Sequence, residues 1–183
     1  MDLKYRNVTI SGLVCTGTTT LSKLLAEKLG WTRRSTGELQ REYSKTKNIP
    51  LELASQRPDD YEQELDKMVY KMLKNEDHKI IEGWLTGFLA KDMTDVFKIL
   101  LVCDESLRID RLVNREGMTV EQAKKHLETR EAENLRKWKK LYGDHNFWDP
   151  QKYDLVIDTY ANSKEEALKK TLVALGLANK QEV

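Results

Sequence analysis

Cysteine, proline and glycine are all scarce in this chain, and each scarcity closes off a class of protein. Two cysteines, Cys15 and Cys103, are too few for a disulfide framework, and neither lies in a CxxC pair. Both sit in or beside apolar runs, the setting of reduced thiols, so a cytoplasmic location is expected. Three prolines and nine glycines exclude a collagenous or low-complexity chain. Long apolar runs are missing as well: nothing approaches the roughly 18 residues that cross a bilayer. The stretch after Lys4 and Arg6 is short and already carries Thr and Ser. An excess of either charge is also absent. A net charge of +1 gives no general reason to expect nucleic acid or an acidic membrane as partner, so any basic site must be local. His78, His126 and His145 show no metal-ligand spacing and read as surface residues.

What is present suits one soluble domain spanning 1–183. A chain of 183 residues buries about 70% of its unfolded surface, enough for one core without staples. Neither a repeat nor a linker interrupts it, and a monomer or weak homo-oligomer is expected. Strand-like and helical segments alternate from end to end, which predicts an α/β fold on a mostly parallel sheet. Asn7 to Gly12 reads as a strand stopped by glycine. Thr18 to Leu29 places Leu21, Leu24, Leu25 and Leu29 on one helical face, closed by Gly30. A second strand is predicted over Trp31 to Ser35 and a helix around Glu38 to Lys45, then a possible short helix at Leu51 to Ser55. Asp59 or Asp60 can cap the next helix, with Leu65, Met68, Val69 and Met72 inward. Lys79 to Glu82 is a short strand. Val96 to Cys103 is the most apolar run and the best candidate for a central strand. Ser106 to Arg115 follows as a helix. Thr119 and Gln122 have the spacing of a capping box opening another, which reaches about Leu141. Tyr153 to Asp158 and Ser163 to Leu175 complete the pattern.

Gly12 to Thr19 has the glycine spacing GxxxxG of a phosphate-binding loop, with Gly17, and Thr19 at the Ser/Thr position. A strand precedes it and an amphipathic helix follows, which is the context the motif requires. Glycines let backbone amides turn toward phosphate oxygens, and the helix N-terminus adds a positive dipole. Thr19 is placed to put its hydroxyl on magnesium. The usual lysine is replaced by Thr18, so other cations must offset phosphoryl charge. Cys15, inside the loop, reads as a small loop residue. The alternative is an ordinary glycine-punctuated turn.

Arginines can supply the missing charge. Arg111 and Arg115 share a helical face, and Arg130 and Arg136 lie on the next helix. The segment about 115–142 that contains it is either an arginine-bearing lid that excludes water or a solvated face laced with ion pairs such as Glu131 near Arg130. On the acceptor side, Ser35, Thr36, Gly37 and Arg41 form a plausible cradle for a second phosphate. A carboxylate among Glu62, Glu64 and Asp66 can accept from a cytosine amino group, or be a solvated helix charge. Glu82 beside Gly83 ends a strand where open parallel sheets meet ligands; it can hold a metal-bound water, orient the acceptor, or have no task. Trp138 and Trp148 read as packing anchors.

From about Val8 to Leu175 the chain resembles the short, archaeal-type cytidylate kinases. The resemblance rests on Cys15-Thr16-Gly17-Thr18-Thr19-Thr20, Ser35-Thr36-Gly37, Arg41, Glu82-Gly83, Arg111 with Arg115, Arg130 to Arg136, and Tyr153 to Asp158 with Thr159. It implies a P-loop NTPase-type fold with a five-stranded parallel sheet flanked by helices, a small acceptor-binding helical segment and a helical lid. It also implies phosphoryl transfer from ATP, with magnesium on Thr19, to CMP or dCMP. Arg41 would contact the acceptor phosphate, and Arg130 and Arg136 the transferred group. Two departures stand out: Trp84 where family members carry arginine, and Lys67-Met68-Val69 where they carry an arginine-rich run. Trp84 therefore marks the acceptor side, and two other functions stay open. One is a kinase for a different small acceptor; the other is a nucleotide-binding regulatory protein without turnover.

Overall fold

The computed structural model describes residues 4–178. Five strands form one sheet: β1 (Asn7–Gly12), β2 (Thr32–Ser35), β3 (Lys79–Glu82), β4 (Val96–Val102) and β5 (Leu155–Asp158). Their order is β2-β3-β1-β4-β5, and every neighbouring pair is parallel. The helices between them are α1 (Thr18–Leu29), α2 (Thr36–Lys47), α3 (Asp59–Asn75), α4 (Thr86–Leu89), α5 (Glu105–Glu116), α6 (Val120–Tyr142) and α7 (Lys164–Ala174). None is long and apolar enough to cross a membrane.

Strand periodicity splits the core into two layers. Val8, Ile10, Ile80, Phe97, Ile99 and Leu101 pack against Leu21 and Leu25 of α1 and Ala167 of α7. On the other face Ile81 and Val96 meet Val69 and Leu73 of α3. All six residues of β1 are buried, as expected of the middle strand in a doubly covered parallel sheet. The more apolar β4 is interior but lies one place off centre. Apolarity reports burial on two faces and not rank order within the sheet.

Several expected elements form with small shifts. The helix expected at Leu51 to Ser55 is instead a single 3₁₀ turn, Ala54–Gln56. No aspartate caps α3; Pro58 holds that position and Asp59 is the first helical residue, facing Lys137 and Lys140. Met68 is 39% exposed, because the buried stripe of α3 runs Leu65, Val69, Leu73 in steps of four. The capping box of Thr119 and Gln122 does open α6.

Register sets the site. Ile10 of β1 pairs with Glu82 of β3, and Gly83 N–H donates to the Ile10 carbonyl at 3.0 Å. The loop leaving β1 and the end of β3 are therefore side by side, at the carboxyl edge where parallel sheets open to ligands.

Candidate active site

The loop from Gly12 to Gly17 is shaped by its own backbone. Thr16 N–H and its hydroxyl both donate to the Leu13 carbonyl, at 3.3 and 2.9 Å. Cys15 has φ 63° and Gly17 φ 98°, both left-handed. A side chain at Gly12 would overlap the Thr16 hydroxyl and come within 2.7 Å of the Leu101 carbonyl. Gly17 caps α1 and no side chain satisfies the first amides of that helix, which are the donors an anion takes. Thr18 and Thr20 lie with them on the floor of a cleft of about 1010 Å³.

Beside this floor the Thr19 hydroxyl donates to Glu82 at 3.1 Å. Glu82 is only 3% exposed and also accepts from Arg33 at 2.8 Å. Arg33 further holds Glu38 and Ser22, so one guanidinium ties β2 and α1 to the Glu82 carboxylate. The sequence reading missed Arg33; its only signal was a charged residue in a strand whose alternate positions face the sheet's helices. Gly83 lies against Thr36, whose hydroxyl a side chain at 83 would overlap. Among the described residues no three His, Cys, Asp or Glu side chains could hold a metal by themselves. Thr19 and Glu82 nevertheless present two hard oxygen donors together, a set that fits a magnesium ion completing its shell with phosphate oxygens and water.

Arginines line the walls. Arg111 of α5 donates to the Cys15 carbonyl at 2.9 Å and to the Thr159 hydroxyl and carbonyl at 3.1 and 2.9 Å. The Thr159 hydroxyl in turn donates to the Thr16 carbonyl at 2.8 Å, a second contact not foreseen from sequence. Arg115 and Arg41 enter the cleft from opposite sides, and Arg41 lies next to Gly37. The Ser35 hydroxyl accepts from Glu38 N–H at 3.1 Å and so caps α2; Thr36 is buried against the Glu82 carbonyl at 3.4 Å.

The inner face of α6 carries Ala123, Leu127, Arg130, Asn134, Lys137 and Trp138. Three polar side chains thus stand on the buried stripe of a helix that looked solvated. Glu131 pairs with Arg108, not with Arg130 as its sequence position suggested. Arg57, 2% exposed, binds Glu62 and donates to Asn134 at 2.8 Å, while Lys137 reaches the Arg57 carbonyl. Gln40 donates to the other Glu62 oxygen at 3.2 Å, so Glu62 is fully engaged in the interior.

Arg130 differs from its neighbours. It is 4% exposed, it lines the cleft, and its Nε has no hydrogen-bond partner among the described residues. Burial first, then Arg41, Arg115 and Arg57, push its pKa down to about 10. A guanidinium stays charged at neutral pH, so this is a desolvated cation facing a cleft, with no ion-pair partner among the described residues.

Three expected site residues lie elsewhere or are engaged otherwise. Arg136 is exposed, pairs with Glu133 and does not line the cleft. Six residues on one helix separate side chains by about 120° in azimuth, so α6 cannot aim both Arg130 and Arg136 at one point. Asp66 lies outside the cleft, in a smaller concavity where it accepts from the Tyr142 hydroxyl at 2.6 Å. Burial raises its pKa to about 7 against that hydrogen bond. Trp84 is buried against Trp138 and Trp148, out of the cleft. None of Lys67, Met68 and Val69 lines the cleft, so the charge missing from that run is not missing there. Conversely, His126, expected on the surface, is half-buried in the cleft wall with its pKa lowered by burial and by Arg130.

A phosphate loop after the first strand of a 2-3-1-4-5 parallel sheet, facing convergent arginines, defines a P-loop kinase fold. A gluconokinase from Sinorhizobium meliloti 1021 shares it, with a TM-score of 0.62 at 15% identity over 93% of this chain and 91% of that one. The particular family is narrower. Residues 7–161 match the cytidylate kinase-like family model, and the chain belongs to that family. A cytidylate kinase of Methanopyrus kandleri is 33% identical over 171 residues, covering 87% of each chain. One of Pyrococcus horikoshii is 36% identical over 163 residues, 86% of this chain and 82% of the other.

Proposed function

We propose that the protein transfers the terminal phosphoryl group of ATP to the phosphate of CMP or dCMP. The observation that carries this is Arg130: a buried guanidinium, unpaired among the described residues, facing a phosphate loop that has no lysine of its own. An acceptor phosphate oxygen bonds to the terminal phosphorus while the bond from that phosphorus to the bridging oxygen breaks, giving ADP and the nucleoside diphosphate. Amides from Gly12 to Thr20 hold the donor phosphates. Arg111 fixes the loop from behind, and Arg115 and Arg130 offset the charge that spreads over the transferring group. Arg41, with Thr36 and Gly37 at the start of α2, receives the acceptor phosphate. Thr19 and Glu82 would hold magnesium, directly or through water, and the ion would supply positive charge to the donor phosphates. Closing the α6 wall on the nucleotides excludes water and favours transfer over hydrolysis.

The test is direct. Purified protein with magnesium and ATP is given CMP, dCMP, UMP, AMP and GMP separately, and each diphosphate is measured. Fast conversion of CMP or dCMP, with the others slow, is expected. ATP binding without turnover of any monophosphate would overturn the proposal.

A further inference from the structure

Trp84 follows Glu82-Gly83 directly, at the edge of the cleft, yet its side chain is not a cleft residue. Its carbonyl accepts from the Trp148 indole N–H at 2.9 Å, and its ring meets Trp138 edge-on at 5.2 Å and Trp148 at 6.2 Å. These contacts fix the indole in one orientation. The guanidinium carbon of Arg130 lies 5.5 Å from the ring centroid, within the range of a cation–π contact. Among the described residues no carboxylate pairs with Arg130: Glu131 is committed to Arg108 and Glu62 to Arg57. Arg41, Arg57 and Arg115 repel it. The indole is thus an attractive surface in contact with this cation before an anion arrives.

We propose that Trp84 is a positioning residue: an aromatic shelf that holds the Arg130 guanidinium aimed into the cleft, so that it meets phosphate without reorganising. This rests on the reading of the cleft as a phosphate site. Sequence position 84 therefore serves the reaction through an arginine on α6. A cationic side chain at 84 would have no such role, since it would repel Arg130.

The experiment is a double-mutant cycle read by calorimetry, with ATP and with inorganic pyrophosphate as probes. Trp84→Leu removes the π face and keeps apolar bulk; its affinity for both probes is expected to fall about 5- to 30-fold, the range of a desolvated cation–π contact. Trp84→Phe keeps an aromatic face and is expected within about twofold of the parent. In the Arg130→Met background, Trp84→Leu is expected to cause no further loss, the coupling expected of residues that act as a unit. Phe147→Leu serves as control, because it damages the same aromatic cluster through a ring that pairs with Trp138 and Trp148 and not with Trp84. A purely structural role for Trp84 predicts that Trp84→Leu and Phe147→Leu lower thermal stability alike and weaken binding alike, or that the losses of Trp84→Leu and Arg130→Met add. Either result overturns the proposal and leaves the cleft reading standing. A parent protein that binds neither ATP nor pyrophosphate overturns both.

Discussion

Two sides of one cleft, the loop after β1 and the inner face of α6, obtain their charge and shape by opposite routes. The turn of the loop is local: Thr16 N–H and hydroxyl both return to the Leu13 carbonyl three residues back, its left-handed positions are at Cys15 and Gly17, and Arg111 and Thr159 only brace its carbonyls from outside. The α6 face is non-local. Asn134 is met by Arg57, Lys137 by the Arg57 carbonyl, and Glu131 by Arg108, contacts that span 77, 80 and 23 residues. What differs is which part of the chain carries the information. A loop of this kind works wherever a strand and helix bracket it, whereas a buried cation needs a whole interior to hold it uncompensated.

The sharpest way to break that comparison is Arg130→Met. Transition-state charge stabilisation by a single arginine is worth about 10³-fold or more, so kcat should fall by that order. Thermal stability should hold or rise, because an unpaired buried charge is removed. A parallel loss of folding would instead make Arg130 a structural residue. On the loop side, Thr19→Val removes one hydroxyl beside Glu82, and an effect of about 10²-fold on kcat is expected. A lower magnesium affinity in the same titration would sharpen the assignment. Asp66→Asn tests the far side of α3 by pH. Its carboxyl is raised from 3.8 to about 7, so the folded state binds more protons than the unfolded chain between those values. Stability from this group is therefore present at low pH and declines as pH rises through that window. Denaturant titrations from pH 4 to 8 should show that decline in the parent and a flatter profile in Asp66→Asn. The smallest effect is expected from Arg136→Ala, within about threefold in kcat/KM, since an exposed ion pair contributes little. A large loss there would show that α6 rotates during turnover.

Much of the frame was legible residue by residue. Gly12 and Gly17 mark the loop by spacing, Thr119 and Gln122 mark the start of α6, and the apolar run at Val96 marks an interior strand. Glu82 and Gly83 were legible as a strand end near the ligand edge. Arg33 and Thr159 were not, because each acts through a partner 49 or 48 positions away, Glu82 and Arg111. His126 and Asp66 exchanged places for the same reason. A helix of mixed charge shows its polar residues in sequence, but not which of them turn inward.

The sequence by itself determined the order of strands and helices, the phosphate loop and the need for cations from elsewhere, because these follow from periodicity, glycine spacing and a missing lysine. Only the tertiary structure decided that Arg130, and not Arg136, enters the cleft, and that Trp84 lies beneath it. That choice is made by burial. Packing α6 against the rest of the chain turns one helical stripe inward, with Glu131 committed to Arg108 and Glu62 to Arg57, and sets the Arg130 guanidinium against an indole.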